Sequence, residues 1–356
     1  MSRKHFSWLL FVTFVVAMLV LMLPSKTGQE SGFEKTVLLP GLEQQVNELS
    51  WIRVSGAGGE VIATLERNDG RWIVAEASGY LADCEKLRSL LSDMALAEVI
   101  EPKTANPAYY DRLGVEDIDA ADAGGLLIEF ADSSGLPAVI VGNSAQGREG
   151  QYARLQGQAQ SALINRPLDL PRERADWLDR DIIDISDAEV VEYEIMLPGE
   201  GSVLASKVSA DDENFSLQNI PEGREVVSEW AVNAPANTLA SLTLDEVVAE
   251  EQIDWTDPVQ FRLLTADGLQ VEADLVARSP ADSDEAADPQ HWIRLRAGIY
   301  TTAVDNAVEA DETDQEALQR ASKINSRVQG WAYRIPKYRY DSMSKRMADM
   351  LKAEES

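Results

Sequence analysis

Cysteine and histidine are scarce in this chain of 356 residues, which contains one cysteine, Cys84, and two histidines, His5 and His291. A single cysteine excludes an internal disulfide, and so few histidines exclude a zinc site built from cysteine and histidine. His5 stands beside a long apolar segment and is poorly placed to join a site in the folded body. Catalysis by a Cys–His or Ser–His–Asp arrangement would therefore rest on His291 alone.

Positive charge is also scarce, because 32 Lys and Arg residues stand against 61 Asp and Glu residues, giving a formal net charge of −29 at pH 7. Such a field repels nucleic-acid phosphates and anionic lipid headgroups, so the composition argues against nucleic-acid binding. The acidity is typical of a solvated surface, and a dedicated cation-binding role is the alternative.

The first long apolar run, residues 6–23, carries no charge and would form a helix of about 27 Å, long enough to cross a bilayer. Because Arg3 and Lys4 precede it, the positive-inside rule predicts a cytoplasmic N-terminus and an extracytoplasmic body. A cleaved signal peptide is the alternative, although residues 23–26 lack a convincing small-residue cleavage site. No cysteine lies directly after the run, which rules out a lipoprotein anchor. We assign residues 1–32 to a membrane anchor and tether.

The stretch 70–101 organises the rest of the chain, because a short β-favouring run at residues 72–74 leads directly into a helical pattern. Apolar residues then recur at spacings of three and four, which predicts an amphipathic helix covering one face of a sheet, with Asp83 as its N-cap. The predicted buried stripe consists of Leu81, Cys84, Leu87, Leu91 and Met94.

The order of elements in residues 33–187 returns in residues 188–330, which predicts an α+β fold of two similar units, each an antiparallel sheet with a helix, arising from internal duplication. In the second unit we expect the helix at residues 235–248, with Leu239, Leu242 and Val247 on its inner side. Arg154 in QYARLQG and Arg294 in HWIRLRA occupy matching contexts.

Two segments of unusual charge belong to the second half of the chain. Residues 279–289 form an acidic loop, predicted to be a solvated insertion, with calcium binding as the alternative. Residues 331–356 are rich in Lys and Arg and are predicted to form a basic amphipathic helix. This helix would dock on the acidic body of the same chain or, alternatively, contact a partner or a membrane surface.

Two further stretches resemble functional motifs. The polar loop GNSAQGREG, residues 142–150, suggests a phosphate cradle, but it lacks the Lys-Ser/Thr ending and leads into a strand, so we interpret it as structural. The segment WLDRDIIDI, residues 177–185, carries Asp179, Asp181 and Asp184, which could bind a divalent cation or act as an acid–base pair. Its spacing matches no calcium-binding loop, Arg180 neutralises part of its charge, and we expect a solvated connector with Trp177 buried. We therefore predict no catalytic, cofactor-binding, nucleotide-binding or metal-binding residues.

An ordered series of short motifs carries a resemblance to a known family. The motifs are LLPGL, GRWIV, the helix YLADCEKLRSLLSDMALAEVIEP, YYDRLGV, GQYARLQG, WLDRDIIDI and, near the end, GWAYRIPKYRYDSMSKRMADMLK. Together they resemble the bacterial domain of unknown function 4340 family. Its members look like single-pass envelope proteins commonly encoded beside ABC-type transporter components, including those similar to gliding-motility auxiliary proteins, and no established catalytic residues can be carried over.

The resemblance implies a non-enzymatic auxiliary or scaffold protein of an ABC-type transport or envelope system. It would be held in the bacterial inner membrane by a single span, with a permease or auxiliary subunit as partner and no cofactor. The alternatives are an extracytoplasmic carboxylate-dependent hydrolase and a binding module for an envelope glycan or peptide.

Overall fold

Helices and mostly antiparallel sheets make up this computed structural model, which describes residues 34–279, 288–300 and 312–353. The predicted span at residues 6–23 and most of the acidic loop 279–289 lie outside the described residues. Within the described ranges, no helix combines the length and the apolar character needed to traverse a bilayer.

The first unit is built on a ten-stranded sheet in the order β1-β6-β10-β9-β8-β7-β2-β3-β4-β5. Its strands are β1 Thr36–Val37, β2 Trp51–Ser55, β3 Val61–Asn68, β4 Arg71–Val74, β5 Tyr80–Leu81, β6 Glu98–Pro102, β7 Leu126–Phe130, β8 Val139–Ser144, β9 Gln151–Leu155 and β10 Ser161–Ile164. From their β-favouring residues the sequence predicts strands at residues 51–55, 126–130 and 151–155, and β2, β7 and β9 confirm these bounds.

The second unit is built on an eight-stranded sheet in the order β14-β13-β12-β17-β18-β19-β20-β16. Its strands are β12 Val190–Met196, β13 Ser202–Ser206, β14 Ser216–Leu217, β16 Glu246–Ala249, β17 Val259–Thr265, β18 Leu269–Arg278, β19 Gln290–Ile299 and β20 Trp331–Arg334. Eight strands of the first sheet repeat this order. Read as β4-β3-β2-β7-β8-β9-β10-β6, they give the order of the second sheet when ten is added to each strand number.

A small third sheet and six helices complete the described structure. The sheet pairs β11 Asp181–Ile183 with β15 Leu242–Thr243, with a bulge within β11. The helices are α1 Leu42–Gln45, α2 Cys84–Ala95, α3 Glu229–Asn233, α4 Glu312–Val328, α5 Lys337–Met343 and α6 Met347–Met350. One main hydrophobic core includes side chains from both large sheets, and a smaller cluster lies against each sheet elsewhere.

Helix α2 confirms the prediction for the central stretch. The Asp83 carboxylate caps it by accepting hydrogen bonds from the backbone N–H groups of residues 85 and 86. The inner face consists of Leu87, Leu90, Leu91 and Met94, all buried in the main core. Two members of the predicted stripe were wrongly placed: Leu81 lies in β5, before the helix, and is only partly buried, and Cys84, the first residue of the helix, is exposed.

The helix predicted at residues 235–248 is wrong. A short helix, α3, ends before this range, a turn of 3₁₀ helix follows at Ala234–Asn237, and β15 and β16 occupy the remainder. Leu239, Leu242 and Val247 are buried as predicted, but Val247 lies in β16, which pairs antiparallel with β20. That long-range pairing satisfies the backbone of a segment whose β-branched residues fit a strand better than a helix.

The single basic helix predicted for residues 331–356 is also wrong. Strand β20 occupies the start of this segment, Pro336 precedes α5, and α5 and α6 are short helices. Gly330, with φ 85°, ends α4 and allows the chain to turn into β20. The segment contacts its own acidic body: Arg346 pairs with Glu200 at 3.1 Å, and Lys352 pairs with Glu225 at 2.6 Å.

Candidate functional site

The segment 177–185, which contains the predicted carboxylates, joins the two units. The Trp177 side chain is buried, and the backbone carbonyl of Trp177 accepts a hydrogen bond from the backbone N–H of Asp83 at the start of α2. The N–H of Asp179 donates to Leu81 in β5, and the Arg180 carbonyl accepts from Leu244, next to β15. The connector is therefore fixed to the first unit at one end and to the second unit at the other.

Asp179 serves the packing of this junction. Its carboxylate pairs with the Arg327 guanidinium on α4 at 2.6 Å, and both side chains are about one-third exposed. The hydroxyl of Tyr333 donates to the Arg327 carbonyl at 3.3 Å, while Arg327 Nε is buried without a hydrogen-bond partner among the described residues. Asp179 thus holds α4 against the connector.

Asp184 and Asp181 are exposed and have different surroundings. Asp184 Oδ1 accepts hydrogen bonds from the N–H and the hydroxyl of Ser241, at 2.7 and 3.3 Å. Ser241 has a positive φ of 45°, and these bonds stabilise its turn. Asp181 makes no ion pair with any described residue. Asp181 and Asp184 line one cavity, whereas Asp179 is not part of its lining and pairs with Arg327, so the structure does not gather the three aspartates into one cluster.

A cavity of about 380 Å³ lies between the connector and α4, and we call it the junction cavity. Strand β11 and residues 184–185 form one wall, and three cationic residues of α4 line the other: Arg320, Lys323 and Arg327. Leu242 and Ile324 supply apolar surface between the walls. Among the described residues, no group of three or more His, Cys, Asp or Glu side chains is arranged to hold a metal ion.

Arg320 is already neutralised by its own chain. Its guanidinium pairs with Glu189 at 2.8 Å and with Asp267 at 2.5 Å. Burial opposes ionisation of Asp267, but hydrogen bonds from Thr265 and Arg320 outweigh this effect and hold the pKa of Asp267 below its ordinary value. Arg320 therefore anchors α4 to the second unit and leaves Lys323 as the unpaired cation of this wall.

A buried aromatic cluster lies next to the junction and was missed by the sequence analysis. The Tyr80 ring packs edge-on against Trp331 and Tyr333, with ring centroids 5.0 and 5.9 Å apart. Tyr80 and Tyr333 are at most 1% exposed, and burial raises the pKa of both phenols. Tyr80 comes from the first unit and the other two rings from the second, so the cluster stabilises the interface between the units. The sequence around these residues, GYL and WAYR, has no periodicity that could predict their contact.

Helix α4, which carries the cationic wall, was also missed. The signal was present, because Ala317, Ala321, Ile324 and Val328 recur at spacings of four and three, and the alanines and the valine are buried. The strongly acidic composition of the preceding residues concealed that pattern.

The glycine-rich stretch 142–150 ends β8 with its first three residues and connects β8 to β9 with the rest. The Gln151 side-chain amide donates to the Gly142 carbonyl at 2.8 Å. A side chain at Gly142 would collide with the backbone carbonyls of Leu113 and Gly114, so the glycine permits a close backbone approach.

The two arginines predicted to match lie on the equivalent strands β9 and β19. Arg154 lies over the Tyr110 ring, and Arg294 lies over the Trp255 ring, each with 4.6 Å from the guanidinium carbon to the ring centroid. Arg154 is 4% exposed and donates to the carbonyls of Val115 and Gln158, whereas Arg294 donates to the Asp274 carboxylate.

Comparison with known proteins gives one result. Neither the curated proteins nor the solved structures include a match to this chain. The sequence profile of a domain of unknown function, DUF4340, matches residues 72–264, which is more than half of the chain and extends from β4 to β17 across the junction. The chain therefore belongs to the DUF4340 family.

Proposed function

We propose that this chain is a non-enzymatic auxiliary protein of an ABC-type transport or envelope system. The proposal is supported by the contacts of two candidate carboxylates. Asp179 forms an ion pair with Arg327, and Asp184 accepts a hydrogen bond from Ser241, and both contacts stabilise the junction between the units. Carboxylates used in this way in the described part of the chain support a role that is exerted by contact. The family resemblance supplies the class of partner, a permease or its auxiliary subunit.

The membrane address of the proposal rests on the sequence. The uncharged run 6–23 preceded by Arg3 and Lys4 supports a single span in the bacterial inner membrane, with the N-terminus cytoplasmic and the body extracytoplasmic. Confinement to the membrane raises the effective concentration of the body near a membrane partner, so weak contacts suffice for its role.

We also infer that the body arose by internal duplication. The shared strand order of the two large sheets supports this inference, as do Arg154 and Arg294, which lie on equivalent strands and stack on aromatic rings. The helices of the two units differ, because α2 spans three turns and α3 little more than one. Duplication followed by divergence would give two surfaces of different shape on one rigid frame.

Crosslinking in intact cells, followed by gentle detergent extraction, tests the proposed role. We expect an ABC permease or its auxiliary subunit to be recovered with the full chain. The control replaces residues 1–32 with a cleavable signal peptide, which releases the body and should abolish recovery. Recovery of the full chain alone would contradict the proposal.

The variant Asp179→Asn tests the hydrolase alternative. If Asp179 is structural, any loss of cellular role will follow the loss of protein abundance and will be restored when abundance is matched. Loss of the role at normal abundance and normal stability would instead favour carboxylate-dependent chemistry.

A further inference from the structure

The junction cavity presents unpaired charges of opposite sign on its two walls. Lys323 on α4 and Asp181 on β11 are both exposed, and neither forms an ion pair with a described residue. Arg320 and Arg327, by contrast, are each held by carboxylates of the chain. Asp184 adds negative charge to the β11 side, and both of its contacts with Ser241 use Oδ1 alone.

Part of the surface between these charges is apolar. Ile324 is partly buried and retains exposed surface there, whereas Leu242, at 1% exposed, is almost wholly enclosed by the core. The volume of about 380 Å³ is at the lower end of the range found for small-molecule sites. The register of β11 against β15 shifts between Asp181 and Ile183, beside the cavity, and such irregularities are common next to active sites.

We propose that the junction cavity binds a short zwitterionic peptide, with its C-terminal carboxylate at Lys323, its N-terminal ammonium at Asp181 and Asp184, and an apolar side chain against Ile324. This binding site is independent of the proposed transport role.

The charge pattern selects this ligand class. A purely anionic ligand would be repelled by Asp181 and Asp184, and a purely cationic one by Lys323. The hydroxyl groups of a neutral glycan can hydrogen-bond to these side chains but carry no charge opposite to either, and hydrogen bonds between two charged partners are the stronger ones. No aromatic ring lines the described cavity to offer a sugar a stacking surface.

Titration calorimetry on the full chain in detergent tests the proposal with the tripeptide Ala-Leu-Ala. The free tripeptide should bind, and N-acetylation or C-amidation should each weaken binding by about tenfold, the effect of losing one charge-assisted hydrogen bond. Maltotriose should not bind. Failure of the free tripeptide to bind, or binding of maltotriose in its place, would overturn the proposal.

Two variants assign each end of the peptide to its wall. Lys323→Gln should weaken the free tripeptide by about tenfold and remove the difference between the free and amidated forms, while Asp181→Asn should remove the difference between the free and acetylated forms. Both positions are exposed, so the variants should keep the wild-type melting temperature. Lys35→Gln and Asp122→Asn, at exposed positions outside the cavity, should bind like the wild type. Equal binding by all four variants would refute the assignment.

Discussion

Arg154 should be among the most stabilising polar residues of the first unit, because it is buried and bonded mainly to backbone carbonyls. Its Nε donates to the Val115 carbonyl at 2.8 Å and its Nη1 to the Gln158 carbonyl at 3.0 Å. It also pairs with Asp117, but that carboxylate is 68% exposed. Exposed ion pairs contribute about 1 kcal/mol or less, whereas hydrogen bonds from a charged donor contribute about 1.5–3 kcal/mol each.

The substitution Arg154→Met keeps an unbranched side chain at this position but removes the guanidinium, and with it all of these bonds and the contact with the Tyr110 ring. The two carbonyl bonds dominate the sum, so we expect the free energy of unfolding to fall by about 3–5 kcal/mol. Asp117→Asn should cost about 1 kcal/mol or less, and adding it to Arg154→Met should change little. Equilibrium urea unfolding followed by circular dichroism measures these differences.

The equivalent arginine provides the matched control. Arg294 donates to the half-buried Asp274 carboxylate, with 2.9 Å from both Nε and Nη2. Because the partner here is a side chain, the double variant with Asp274→Asn should recover part of the loss caused by Arg294→Met, with a coupling energy of about 1–3 kcal/mol. A loss below 1 kcal/mol for Arg154→Met, or a coupling to Asp117 as large as that to Asp274, would refute the reasoning.

Three further predictions concern particular side chains. Leu87→Ala should lower the free energy of unfolding by about 2–5 kcal/mol, because Leu87 is buried, whereas Arg88→Ala, at an exposed position, should lower it by no more than about 0.5 kcal/mol. Equal losses in urea unfolding would show that the buried face of α2 is misassigned. Burial against Tyr340, reinforced by Lys337 and opposed by Asp341, holds the pKa of His291 below its ordinary value of 6.5. The contribution of His291 to stability is therefore present above pH 6.5 and is lost as the pH falls below it. His291→Gln should flatten the change in melting temperature between pH 6.5 and 5, and an unchanged slope would contradict the assignment. Cys84 is exposed, so maleimide should label it in the folded chain as fast as in urea, and protection in the folded state would contradict its placement.

Local patterns in the sequence determined much of the secondary structure. The β-favouring runs of β2, β7 and β9 and the three-and-four spacing ending at Met94 can each be seen within about a dozen residues. The Asp83 cap is equally local, because it satisfies N–H groups only two and three residues away. The failure of the loop 142–150 to match a phosphate-binding motif was also evident from adjacent residues.

Tertiary contacts decided the rest. Val247 lies in a strand because β20, more than eighty positions later, pairs with it. Asp179 became a structural residue only when α4 brought Arg327 within 2.6 Å, and the junction cavity exists only because α4 packs beside β11. Tyr80 contacts Trp331 and Tyr333, which lie about 250 positions later in the sequence. Sequence periodicity reports which face of an element is buried but not what buries it, so elements with a strong local pattern, such as α2, could be predicted from the sequence, while the site that the elements form together could not.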